Sequence, residues 1–246
     1  MPASWQHRLS PFQKRSLLKN SKNSNTRWPA KSRKKRKILK VYKISHEHPA
    51  PEIIQQAGTI IKRGGIIVFP TRCLYGLGAD AFNAEAVDRV FKIKQRPSQK
   101  PILVLIDRRR QLERLVSHVS KAASRIMDHF WPGGVTLVFK AADTVPHHLT
   151  AGTGKIGIRL PGHPVAAALV EALGRPLTGT SANLSAKPGC RRIGDLEPQL
   201  AQQLDAVLDA GDLKGGNGST VVDVTARLPR ILREGEITEK EILTLI

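Results

Sequence analysis

Hydrophobic positions recur along this chain with two alternating periods, and the switches between them set the expected architecture. Ile53, Ile54, Ala57, Ile60 and Ile61 repeat at helical spacing, and Gly64-Gly65 offers the left-handed stop such a helix wants. Ile66–Phe69 is a fully apolar, β-branched run halted by Pro70, which reads as a buried strand. Thr71–Gly78 is expected as a loop after it. Asn83 caps a second predicted helix that buries Ala86, Val87, Val90 and Phe91 and ends before Pro97.

Further strands are predicted at 102–106, 135–139, 156–160 and 176–180, separated by helical stretches around 109–130 and 164–173. The last third predicts a helix near 195–204 and strands near 206–209, 220–224 and 230–233. A final helix opens on the capping-box pattern of Thr238 and Glu241. Strand alternating with helix points to an α/β layer fold, and the late strand pair favours a mixed sheet. The pattern leaves strand order open.

Composition adds a boundary. Residues 1–43 carry 14 Lys or Arg and no Asp or Glu, with little apolar periodicity, so burial there cannot offset the entropy of ordering. They are expected to be a disordered basic arm, with residues 44–246 forming one α/β domain. In that body 26 basic residues face 20 acids, so the arm supplies most of the formal charge of +20. A positive field draws polyanions such as nucleotides or RNA without naming a reaction. Were the arm to grip RNA, each neutralised phosphate would steepen the salt dependence by a log-log slope of roughly 0.7 to 0.9.

The chain's two cysteines, Cys73 and Cys190, exclude a disulfide framework and show no zinc spacing. No apolar run approaches the roughly 18 to 20 residues that span a bilayer, and the arm lacks a signal-peptide centre. A cytoplasmic protein without membrane contact is expected.

Four polar clusters follow or flank strands, where α/β folds present loops to ligands. Thr71–Gly78 joins glycines to Thr71, Cys73 and Tyr75, although a structural turn would show the same residues. Lys94 and Arg96 stand two residues apart and can hold adjacent phosphate oxygens, or can simply complement a helix dipole. Thr178–Asn183 clusters hydroxyls and an amide. Gly215–Thr220 precedes a strand, and Arg233 lies downstream, but the Gly-Lys-Ser/Thr order of a P-loop is missing.

Taken together, FPTRCLYGLG, KIKQRPSQKPI, IGIRLPGHP, TGTSANLS, GSTVVDVT and ILREGEI stand in the order seen in YrdC/TsaC-type threonylcarbamoyl-AMP synthases, which residues 48–240 resemble. The resemblance implies a single domain in which a twisted mixed, largely open sheet, flanked by helices, surrounds a basic cavity. It implies synthesis of threonylcarbamoyl-AMP and pyrophosphate from L-threonine, bicarbonate and ATP, with Mg2+ carried by the ATP. Partner proteins would then transfer the product to tRNA.

Position by position, it assigns Lys94 and Arg96 to the triphosphate and to catalysis. Lys100, Ser181, Asn183 and Arg233 fall at further ATP contacts, and Thr71, Cys73, Tyr75, Arg159 and Ser219 at threonine contacts. Two residues depart from the pattern: the family usually has an acid and then Thr where this chain has Arg72 and Cys73. Cys73 is expected to be a small packed substitute, not a nucleophile. The length suggests the short form of the family.

No Ser-His-Asp set, His-Glu-x-x-His helix or paired-carboxylate pattern is present, which agrees with catalysis by positioning and charge stabilisation. The competing expectation is a non-catalytic double-stranded RNA-binding or ribosome-maturation factor.

Overall fold

The computed structural model describes residues 39–245. The basic arm lies outside the described residues except at its end, where Lys40–Lys43 forms strand β1. That strand pairs in parallel with a later one, so the folded body begins before residue 44.

Along the chain follow α1 (Pro51–Lys62), β2 (Ile67–Pro70), β3 (Tyr75–Gly78), α2 (Ala84–Lys94), β4 (Val104–Leu105), α3 (Lys121–Phe130), β5 (Val135–Lys140) and α4 (His147–Thr150). The second half adds β6 (Lys155–Arg159), α5 (Pro164–Leu173), β7 (Leu177–Thr178), β8 (Thr180–Ser181), α6 (Pro198–Ala201), β9 (Ala206–Asp209), β10 (Thr220–Asp223), β11 (Arg230–Arg233) and α7 (Glu239–Leu243).

The expected single open sheet is in fact two mixed sheets. The first has the order β1-β9-β2-β3-β8 and the second β11-β10-β5-β6-β4-β7. They meet where the chain leaves β7 in the second sheet and enters β8 in the first, with only Gly179 between. A Cβ on Gly179 would lie 2.8 Å from Leu103 and 2.9 Å from Leu105, so glycine is what lets the chain cross there. The polar cluster at 178–183 therefore sits on the seam between the sheets.

Side chains of β2 show how one strand serves two cores. Ile67 and Phe69 point into the layer with α1 and α5, while Val68 points into the larger core between the sheets. Pro51 opens α1 at a position that needs no N–H, and Ile54, Ala57 and Ile61 bury its inner face. The helix ends at Gly64, whose φ is 80°, as the Gly64-Gly65 pair predicts.

Two expected segments differ. Tyr75–Gly78 is a strand because Gly76 and Gly78 let β3 lie flat on Phe69; a Cβ at either position would come within 3.0 Å of that ring. The helix expected over 109–130 is broken into a 3-10 turn at Arg109–Arg114 and α3. The break falls at Ser120, whose hydroxyl accepts from the Ala123 N–H at 3.1 Å and so starts a new helix.

Candidate active site

A cavity of about 650 Å³ opens on one face of the second sheet, with Thr71, Tyr75 and Ser181 along its border with the first. Because side chains alternate along a strand, β6 turns Lys155, Gly157 and Arg159 to it, and β10 turns Val221 and Asp223. Gly157 keeps the floor open between its two cations.

Four arginines line this space, the exposed Arg230 at the start of β11 and three others: Arg96 from the turn after α2, Arg159 from the end of β6 and Arg233 from the end of β11. None has a carboxylate partner among the described residues. Arg96 donates through Nε to the Lys100 carbonyl at 3.0 Å and through Nη2 to the Pro101 carbonyl at 2.7 Å. Arg233 donates to the Ser219 carbonyl at 2.7 Å, and the Ser219 hydroxyl in turn meets Thr136 Oγ1 at 2.9 Å. The Nε of Arg159 is buried and has no partner.

Burial holds all three below the ordinary guanidinium range, Arg159 at about 10, and the charge of Arg233 adds to the effect on the other two. Like charges gathered in one partly desolvated cavity cost free energy, so such a cluster marks a place where an anion relieves it.

Lys94 behaves differently. It is 2% exposed, and its ammonium donates to the Ser181 carbonyl, to the Asn183 carbonyl at 2.7 Å and to Asn183 Oδ1 at 3.2 Å. Burial first, then the charge of Arg96, pushes its pKa down to about 7. The Ser181 hydroxyl donates to Asn183 Oδ1, closing a small ring of hydrogen bonds. Of this group only Ser181 reaches the cavity wall; Lys94 and Asn183 sit behind it. Lys100 stays exposed and away from the cavity, contributing only its backbone carbonyl.

Beside the large cavity lies a pocket of about 20 Å³, room for one water-sized group, sharing Thr71, Arg159, Gly218 and Ser219 with it. Cys73 lines it, and burial, followed by the Glu236 carboxylate, raises the thiol's pKa. Thr71 spends its hydroxyl on the Leu74 carbonyl at 2.6 Å. Tyr75 turns its hydroxyl away, donating to the Gly211 carbonyl at 2.7 Å and accepting from the Ala210 N–H at 3.0 Å. Its hydroxyl is thus engaged by residues 210 and 211.

A family model for Sua5, YciO and YrdC, described as "Telomere recombination", matches residues 59–235. The chain belongs to that family.

Two threonylcarbamoyl-AMP synthases are among the similar Sua5/YciO/YrdC proteins. One, from Pyrococcus abyssi, is 35% identical over 193 residues; another, from Bacillus subtilis, is 36% identical over 194 residues. Each alignment takes in 78% of this chain but only 57% and 56% of the relative, so the chain spans little more than half the length of these two. The P. abyssi Sua5 structure in complex with L-threonine matches with a TM-score of 0.78 at 33% identity, covering 84% of this chain and 60% of that one.

Within this Sua5/YciO/YrdC chain the motif order signalled Arg96, Arg159, Ser181, Ser219 and Arg233, all of which reach one cavity. It did not signal Thr136, the Lys155–Asp223 pair at 2.8 Å, or Glu236, which pairs with Arg72 at 2.8 Å. Asp223 and Glu236 stand inside quoted motifs, yet nothing local shows which way they point. Among the described residues no helix is long and apolar enough to cross a membrane.

Proposed function

We propose that this chain is an L-threonylcarbamoyladenylate synthase, a nucleotidyltransferase that condenses L-threonine, bicarbonate and ATP into threonylcarbamoyl-AMP and pyrophosphate. The observation that carries the reading is the convergence of Arg96, Arg159 and Arg233 on one cavity without a carboxylate partner among the described residues. Likeness to two threonylcarbamoyl-AMP synthases over 78% of the chain supports it.

The chemistry asks for positioning more than for proton transfer. The threonine amine combines with bicarbonate to give a carbamate and water. A carbamate oxygen then attacks the α-phosphorus, the bond to the bridging oxygen breaks, and pyrophosphate leaves. Arg96 and Arg233 neutralise the triphosphate and the charge that develops as it departs. Arg159 takes the threonine carboxylate, and Ser219 with Thr136 supplies hydroxyls beside it. Lys94 acts through Ser181 and Asn183, holding the loop against which the nucleotide and carbamate align, and so is a positioning residue.

Among the described residues no three His, Cys, Asp or Glu side chains gather to hold a metal ion, and Asp223 in the wall is committed to Lys155. Magnesium enters this reading as part of the ATP substrate, ligated by phosphate oxygens and water. The product serves tRNA modification in the cytoplasm through partner proteins, and the basic arm offers RNA contact.

The test is pyrophosphate release with mass detection of threonylcarbamoyl-AMP from the full chain given MgATP, bicarbonate and L-threonine, each omitted in turn. Product that requires all of them supports the synthase. Folded protein that makes none and binds RNA in a salt-dependent way overturns it in favour of the RNA-binding reading.

A further inference from the structure

The 20 Å³ pocket holds two charged groups that the proposed chemistry has not used, Arg72 and Glu236. Glu236 follows Gly235, whose backbone presses on residues 218–219 so closely that a Cβ would lie 2.4 Å from the Ser219 carbonyl carbon. The Glu236 N–H donates to the Gly218 carbonyl at 2.9 Å, which fixes where its side chain starts. From there the carboxylate, mostly buried, reaches back over Gly134.

Its two oxygens differ. Oε1 faces Arg72, which also lines the pocket, at 2.8 Å and the exposed Lys214 at 3.6 Å. Oε2 lies over the pocket floor, where a Cβ on Gly134 would come within 2.9 Å of it, and both ion pairs are made through Oε1. Across the same pocket stands Arg159 with its buried, partnerless Nε.

A cation facing an anion across a water-sized space is complementary to a zwitterion whose carboxylate and ammonium share one carbon. An ammonium is the size of group that the pocket admits, and the rest of such a ligand extends into the large cavity through the shared wall at Thr71, Gly218 and Ser219. Arg72 and Lys214 do not compete for Oε2. They stop the carboxylate from swinging out to solvent, which is a use for a cation at position 72.

We propose that Glu236 is the residue by which this chain recognises the α-ammonium of its amino-acid substrate, opposite the carboxylate site at Arg159, with Arg72 and Lys214 as its positioning residues. The inference rests on the synthase reading and deepens it. It makes the free amino group a specificity requirement at the binding stage, before any carbamate forms.

Calorimetric titration of the full chain with L-threonine and with 2,3-dihydroxybutanoate, which carries a hydroxyl in place of the amine, tests it. The wild type is expected to prefer threonine by about tenfold or more, as for a charge-assisted hydrogen bond in a buried site. Glu236→Gln is expected to abolish that preference while leaving dihydroxybutanoate affinity within about twofold, since the analogue makes no call on the carboxylate. A preference that survives in Glu236→Gln overturns the inference, as does a wild type that binds both ligands equally. Equal weakening of both ligands in the variant also overturns it, by showing a structural role. Folded wild type that binds neither ligand overturns the synthase reading itself and takes this inference with it.

Discussion

The Lys94 corner and the Arg159–Arg233 wall are both cationic, yet they hold their charges in opposite ways. Lys94 directs its ammonium to oxygens of Ser181 and Asn183. Arg159 keeps a buried Nε without any partner, and Arg233 has only the oxygens of Ser219. A cation whose donors are spent on its own backbone fixes the shape of a site. One whose donors are idle is available to a ligand and costs stability until the ligand arrives. Residue type does not distinguish the two; hydrogen-bond partners do.

Removing the fixed cation should do the most damage. Lys94→Met leaves buried carbonyls without a donor, so it should destabilise the fold by about 1–3 kcal/mol at neutral pH and lower turnover by about a hundredfold or more. The loss should fall on kcat more than on KM for ATP, because Lys94 acts through the loop. The pH dependence sharpens the point. The folded pKa of about 7 lies below the ordinary 10.5, so between these values the folded state binds fewer protons than the unfolded one. Wild-type stability should therefore rise with pH above about 7, by at most about 1.4 kcal/mol per unit, and should be flat below it. Lys94→Met should lack this slope. Urea unfolding at pH 6, 7.5 and 9 reads both effects, and parallel pH profiles would break the contrast between corner and wall.

The wall should respond in the opposite sense. Arg159→Met removes a buried charge with an unpaired N–H, so thermal unfolding should be unchanged or shifted upward. Threonine affinity should nevertheless fall by about 10- to 100-fold, the worth of a charge-assisted hydrogen bond of about 1.5–3 kcal/mol. A variant that unfolds as readily as Lys94→Met would show that Arg159 supports the fold after all.

What the amino-acid order made legible follows the same division. The apolar periods located most strands and helices, and the motif set placed Arg96, Arg159, Ser181, Ser219 and Arg233 on one cavity. Neither could show that residues 177–181 cross between two sheets, since the reason is contact of Gly179 with Leu103 and Leu105, far away in the chain. Nor could they show that Tyr75 spends its hydroxyl on residues 210 and 211, or that Lys94 turns inward. Local pattern reports which residues can do chemistry. Which of them are already engaged depends on long-range partners such as Asn183, 89 positions beyond Lys94.

Tyr75 extends the comparison to a neutral group. Its burial and the nearby Asp209 charge raise the phenol's pKa, so it stays protonated and keeps donating to Gly211. Tyr75→Phe strands the Ala210 N–H and the Gly211 carbonyl, which should cost about 1–3 kcal/mol in denaturant unfolding. Threonine KM should stay within about twofold, because the hydroxyl is already engaged by residues 210 and 211. A large change in KM with little loss of stability would restore the hydroxyl to the binding site.

The smallest effect is expected at Lys100, the cation that motif position alone assigns to ATP. Its side chain is exposed and outside the cavity wall, and its contribution to the site is the carbonyl that accepts from Arg96 Nε. Lys100→Ala preserves that carbonyl. ATP affinity at about 0.15 M salt should then change less than about twofold, since screening over about 8 Å removes most of what a solvated charge at a distance contributes. Lowering the salt should widen the gap between wild type and variant, which marks long-range attraction as the source. A loss of tenfold or more that persists at high salt would mean that Lys100 swings onto the nucleotide. Its donors would then count with the idle cations of the wall, and the line between fixed and available cations would have to be drawn on the liganded site.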